Sequence, residues 1–92
     1  MIIKVKIAKI FGKAFEVSEN TAADIFIDYS PHCKSVSVRI YENGWDYELS
    51  PDAKFNVYYD VDDVYRTYDE VHNKLDEILN KLESMSQNVG AL

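Results

Sequence analysis

Residues 61–85 read VDDVYRTYDEVHNKLDEILNKLESM, and the fold turns on them. Taken in sevens from Asp62, the stretch becomes DDVYRTY, DEVHNKL, DEILNKL and a partial ESM. Each heptad has two acids, an apolar residue, a variable one, two polar or basic ones and an apolar one. Val61, Val64, Tyr68, Val71, Leu75, Ile78, Leu82 and Met85 recur at alternating spacings of three and four, which lines them along one face of a helix. Tyr65, His72 and Leu79 widen that face on one flank. Asp62, Asp63, Asp69, Glu70, Asp76, Glu77 and Glu83 form a second, acidic stripe expected on the solvent side. Arg66, Lys74 and Lys81 follow Asp62, Glu70 and Glu77 by four positions, a spacing that permits weak same-face ion pairs.

The whole chain has 92 residues and reads as one domain, with a sheet over 1–59, the helix over 61–85 and a frayed tail over 86–92. A hydrophobic fraction of 47% supports a packed core. The formal charge of −6 is uneven: residues 1–59 hold eight acids and seven bases, whereas residues 60–92 hold eight acids and three bases. A field of that sign disfavours a direct nucleic-acid partner and favours a basic protein surface. No apolar run approaches the roughly 20 residues of a membrane-spanning helix. Cys33 is the one cysteine, so no intramolecular disulfide can form, and no secretory leader pattern stands at the N-terminus. The expected location is the cytoplasm.

Upstream, Ile3, Val5 and Ile7 alternate with Lys4 and Lys6, the period of a half-buried strand, and Gly12 permits a turn before Phe15 and Val17. Residues 2–17 therefore read as a first hairpin with its loop at 11–13, and residues 18–24 as a connection. Ile25, Ile27 and Tyr29 alternate as a strand that stops at Ser30-Pro31. Val36, Val38 and Ile40 alternate up to Asn43-Gly44, a dipeptide suited to a two-residue type I′ turn. That turn would set Ile40 opposite Tyr47, Val38 opposite Leu49 and Arg39 opposite Glu48. Phe55, Val57 and Tyr59 make a last strand, and Asp60 stands where it could cap the helix, with Asp62 and Asp63 in its first turn.

The fold class these elements predict is α+β: an antiparallel sheet of four to five short strands packed on one long C-terminal helix. A 25-residue helix is about 37 Å long, against about 17–24 Å for such strands, so the helix should overhang its sheet. Ile78, Leu79, Leu82 and Met85 would then need a cover. A second copy's helix suits a 3.5-residue stripe, which predicts a homodimer.

No catalytic constellation emerges, and no metal or cofactor is expected. His32-Cys33 joins two soft ligands, but neighbours in an extended segment point apart, and no second pair stands at ligand spacing. His72 on the apolar flank reads as a satisfied, partly buried histidine. The glycines Gly12, Gly44 and Gly90 are too scattered to cradle a phosphate. Tyr41, Trp45, Tyr58 and Tyr59 are aromatic types that protein contacts favour, although packing would also account for them.

A compact acidic chain with an Asn43-Gly44 turn, seven tyrosines and an acidic heptad helix resembles, in kind, the small phage-borne inhibitors of host defence proteins, anti-CRISPR proteins among them. The resemblance implies carboxylates standing in for phosphates against the Lys/Arg surface of a nuclease or other nucleic-acid-binding protein. Lys4, Lys6, Lys9 and Lys13 form a basic stretch that such a mimic does not need. The alternative is a dimeric structural or adaptor module whose acids only solvate a helix.

Overall fold

The structure, a computed structural model, describes residues 2–61 and 67–90, with side chains through Ser86. The element order is α1 (Ile3–Asn20), β1 (Asp24–Ser30), β2 (Ser35–Tyr41), β3 (Ala53–Tyr58) and α2 (Tyr68–Gly90). The fold is α+β, with three antiparallel strands among the described residues, in the order β1-β2-β3, rather than four to five. Ile25, Ile27, Val36, Val38, Ile40, Phe55 and Val57 project toward the helices, and Phe26, Ser37, Arg39, Lys54 and Asn56 form the opposite, open face.

The largest departure from expectation is α1. Residues 2–17 are not a hairpin but most of an 18-residue helix. Ile3, Ile7, Ile10, Ala14 and Val17 recur at spacings of four and three, and all join the core, the last three fully. Val5 decides between the two periods: a strand would bury it beside Ile3 and Ile7, and it is 41% exposed. The helix ends at Thr21, whose N–H and hydroxyl both donate to the Val17 carbonyl, at 3.0 and 2.7 Å.

α1 supplies the cover that the C-terminal stripe lacked. Val71, Leu75, Ile78, Leu82 and Met85 repeat the spacing of Ile3, Ile7, Ile10, Ala14 and Val17, and the two stripes meet in one core. Lys6 pairs with Asp76 at 2.7 Å, Lys13 with Glu83 at 2.9 Å, and the Ser86 hydroxyl donates to Glu16 at 3.1 Å. Residue numbers rise together in these three contacts, so the helices run parallel. α1 lies toward β1 and α2 toward β3. Ile78, Leu82 and Met85 are buried and Leu79 is partly buried within one chain. α1 of the same chain covers the part of α2 that was expected to need a second copy, which removes the reason for assigning these residues to a homodimer.

α2 begins at Tyr68, later than residue 61, and continues past residue 85 to Gly90, where a frayed tail was expected. Val64, Tyr65 and the Asp62 and Asp63 expected in its first turn lie outside the described residues. The start of α2 carries a Thr67-x-x-Glu70 capping box, seven residues beyond the Asp60 expected in that role. The Glu70 N–H donates to Thr67 Oγ1 at 3.1 Å, and the Thr67 N–H to Glu70 Oε2 at 3.4 Å. Thr67→Ala is expected to cost about 1 kcal/mol in urea denaturation, with an unchanged denaturant slope.

The Asn43-Gly44 hairpin is also overturned. β2 pairs with β3, so Ile40 faces Ala53, Arg39 faces Lys54 and Val38 faces Phe55. A type I′ turn needs positive φ at both central residues, yet among described non-glycine residues only Lys34 has it. Gly44, with φ of 99°, instead sits at the fourth position of a turn and donates to the Tyr41 carbonyl at 3.2 Å. The chain then leaves the sheet and returns after Pro51. β1, β2 and β3 otherwise follow the alternations read from Ile25, Val36 and Phe55.

Candidate functional site

Residues 42–52, between β2 and β3, hold Glu42, Asp46, Glu48 and Asp52 and no base. Carboxylates organise this loop, Asp46 and Asp52 from within it and Asp24 from β1. Asp52 accepts the Glu42 N–H at 2.7 Å, Asp24 the Trp45 N–H at 2.8 Å, and Asp46 the Glu48 N–H at 3.0 Å. The Asp52 N–H in turn donates to the Ile40 carbonyl at 2.8 Å. Each such bond satisfies a backbone donor while leaving the acid its charge. Lys81 reaches Glu42 at 2.7 Å and ties the loop to α2.

Apolar groups stand out from this frame. Trp45 is 52% exposed and Tyr47 81% exposed, and Leu49 is also open to solvent. Trp45 meets Phe26 at 6.4 Å between ring centroids, Phe26 meets Tyr41 edge-on at 5.7 Å, and the Arg39 guanidinium lies 5.1 Å over the Phe26 ring. Tyr47 and Leu49, expected opposite Ile40 and Val38 on one face of a hairpin, instead stand exposed on the loop. The signal that could have placed them was a base-free acidic segment with Ser50-Pro51, which reads as a loop more readily than as a strand.

Backbone dipoles add to the charge. α1 and α2 run toward the end of the molecule that bears this loop, and neither has a basic residue in its last turn. Their partial negative ends therefore reinforce the carboxylates.

The helical acids are less available than the heptads suggested. Asp76 and Glu83 face α1 and pair with Lys6 and Lys13, and Glu70 serves the cap. Lys13 is held above its ordinary pKa by donating to Glu83 and then Glu16, and Glu16 is held below its own, first by Lys13 and then by Ser86. Asp69 and Glu77 remain exposed. The basic stretch of α1 is therefore partly the counter-charge of the acidic stripe.

The four aromatic candidates separate. Tyr41 is 5% exposed and packs against Phe26, so it supports Trp45 rather than offering a contact. Tyr58 and Tyr59 lie at the other end of β3, Tyr58 exposed and Tyr59 half-buried on the helix side. His32 and Cys33 are exposed in the turn after β1. The His72 ring lies tilted against Tyr68, 4.1 Å between centroids, and its Nε2 is buried without a hydrogen-bond partner among the described residues, unlike the satisfied histidine expected there. Among the described residues no group of three or more His, Cys, Asp or Glu could hold a metal ion, and no helix is long and apolar enough to cross a membrane. Comparison with protein families, curated proteins and solved structures found no match.

Proposed function

We propose that this chain is a small protein-binding module, of the acidic inhibitor kind, that docks a Lys/Arg-bearing surface of a partner on the loop between β2 and β3. One observation carries the reading: Trp45, Tyr47 and Leu49 are exposed on a loop whose charged residues are all acids and whose shape is held by carboxylate-to-backbone hydrogen bonds. Exposed aromatics provide desolvated anchors, and surrounding carboxylates steer a basic partner and select against acidic ones. A preset loop loses less conformational freedom on docking. A nucleic-acid-binding site, such as that of a nuclease, has the matching charge, and its phosphate-binding side chains are the groups such acids would engage.

The stripe on α2 is the weaker surface for this role, since Asp76 and Glu83 already have lysine partners. A loop variant, Trp45→Ala with Tyr47→Ala and Glu48→Lys, and a helix variant, Asp69→Lys with Glu77→Lys, separate the two. In capture from nuclease-containing lysate, followed by titration of the purified partner, the loop variant is expected to lose binding and the helix variant to retain it. Wild-type binding should also weaken steeply between about 50 and 200 mM salt, because exposed charges are screened within about 10 Å at 0.1 M. Retention by the loop variant and loss by the helix variant would overturn the assignment.

A further inference from the structure

The opposite end of the molecule carries a recess of different character. Lys4, Ile7, Ala8 and Phe11 from the start of α1, with Tyr29 at the end of β1 and Tyr59 just after β3, line a groove of about 340 Å³. That size falls at the lower end of small-molecule sites, about 300–1,000 Å³, and apolar walls with a few polar groups are their usual composition. The polar groups here are one ammonium and two phenols. Among the described residues Lys4 has no acid within ion-pair distance, whereas Lys6 and Lys13 on the far flank of α1 are both paired. The Tyr59 hydroxyl donates to that of Tyr29 at 3.5 Å. Because Tyr29 is the acceptor, its own O–H is left to donate elsewhere. The same bond, then burial, raises the Tyr59 pKa to about 12. The positive end of the α1 dipole lies at the same place.

We propose that this groove binds a small anionic amphiphile, an aryl or short-chain alkyl carboxylate. Its carboxylate meets the Lys4 ammonium and the Tyr29 hydroxyl, and its apolar body lies along Ile7, Ala8 and Phe11. Local charge selects the anion: Lys4 is the one formally charged residue among the described residues of the lining, on a chain whose net charge is −6. The site is separate from the acidic loop and does not depend on it.

The test uses 4-phenylbutyrate, its neutral counterpart 4-phenylbutanol, and amide chemical shifts of the full chain. 4-Phenylbutyrate is expected to move resonances in the first turns of α1 and around Tyr29 and Tyr59. Lys4→Met should weaken its binding about tenfold, the loss of one charge-assisted contact, and 4-phenylbutanol should bind comparably weakly to wild type. Ala8→Trp fills the groove from an exposed position and should abolish binding with helix content unchanged. No shifts at millimolar 4-phenylbutyrate would overturn the proposal. Equal affinity for acid and alcohol, or no effect of Lys4→Met, would reduce the groove to an apolar recess and overturn it too. So would concentration-dependent shifts at these residues without ligand, which would make the occupant a second copy.

Discussion

Leu82→Asp is expected to abolish folding rather than to release a folded monomer. Leu82 is 0% exposed and sits on the α2 stripe that packs in one core with the stripe of α1. Truncation alone, Leu82→Ala, should cost about 2–5 kcal/mol, from lost transfer free energy and the cavity left behind. A domain of this size has only about 5–14 kcal/mol in total. At about 4–8 °C per kcal/mol, the alanine variant should melt some tens of degrees lower. An aspartate there adds the burial of a carboxyl in an apolar core, several kcal/mol more, and the two costs together take up most or all of that total. Far-UV circular dichroism and urea denaturation measure both variants. A Leu82→Asp protein with wild-type helix content and half the sedimentation mass of wild type would restore the intermolecular interface and discard the α1 seam.

This residue also shows how far the sequence could be read. The heptad acids and apolar stripe of α2 were legible because one period persists over several turns. The alternations centred on Ile27, Val38 and Val57 were legible because strands buried on one face have period two. Residues 3–7 satisfy both templates, since Ile3 and Ile7 are two steps apart in a strand's alternation and one turn apart in a helix. Reading Val5 as buried chose the wrong one. The error then spread: with α1 taken for a hairpin, the heptad stripe had no partner in the chain, and a second copy was invoked to cover it. Lys6 and Lys13 likewise had no acids to meet, so the acidic stripe looked unbalanced.

The loop was misread for a different reason. The dipeptide Asn43-Gly44 is a strong local signal, but β2 has only two edges. β1 takes one through a tight turn and β3 the other, leaving residues 45–49 outside the sheet. The pairing of Arg39 with Glu48 had seemed to support the hairpin. Arg39 instead lies 3.7 Å from Asp28 on the neighbouring strand. Cross-strand charge matching was satisfied by an acid that the local register could not consider. Of the proposed site, only Trp45 was visible in advance.

Gly12 separates the two accounts of the N-terminal segment most sharply. A hairpin turning at residues 11–13 would use this glycine for backbone freedom, so Gly12→Ala would strain it while a proline could be accommodated. In α1 the residue is mid-helix, and a Cβ built there meets no atom within 4 Å. Gly12→Ala is therefore expected to stabilise the protein by about 0.5–1 kcal/mol, because alanine loses less backbone freedom in a helix and gains no clash. Gly12→Pro should do the opposite. It removes the N–H that bonds back along the helix and drives its ring against the carbonyl of Ala8, at a cost of about 3 kcal/mol or more. The kink would fall between Ile10 and Ala14, both buried, so it would also part α1 from α2 and weaken the pairing of Lys13 with Glu83. Urea denaturation of the two variants measures a difference expected to reach about 4 kcal/mol, with alanine above wild type and proline far below. Alanine falling below wild type while proline stays near it would mean that the segment turns at this residue and that α1 is not a helix.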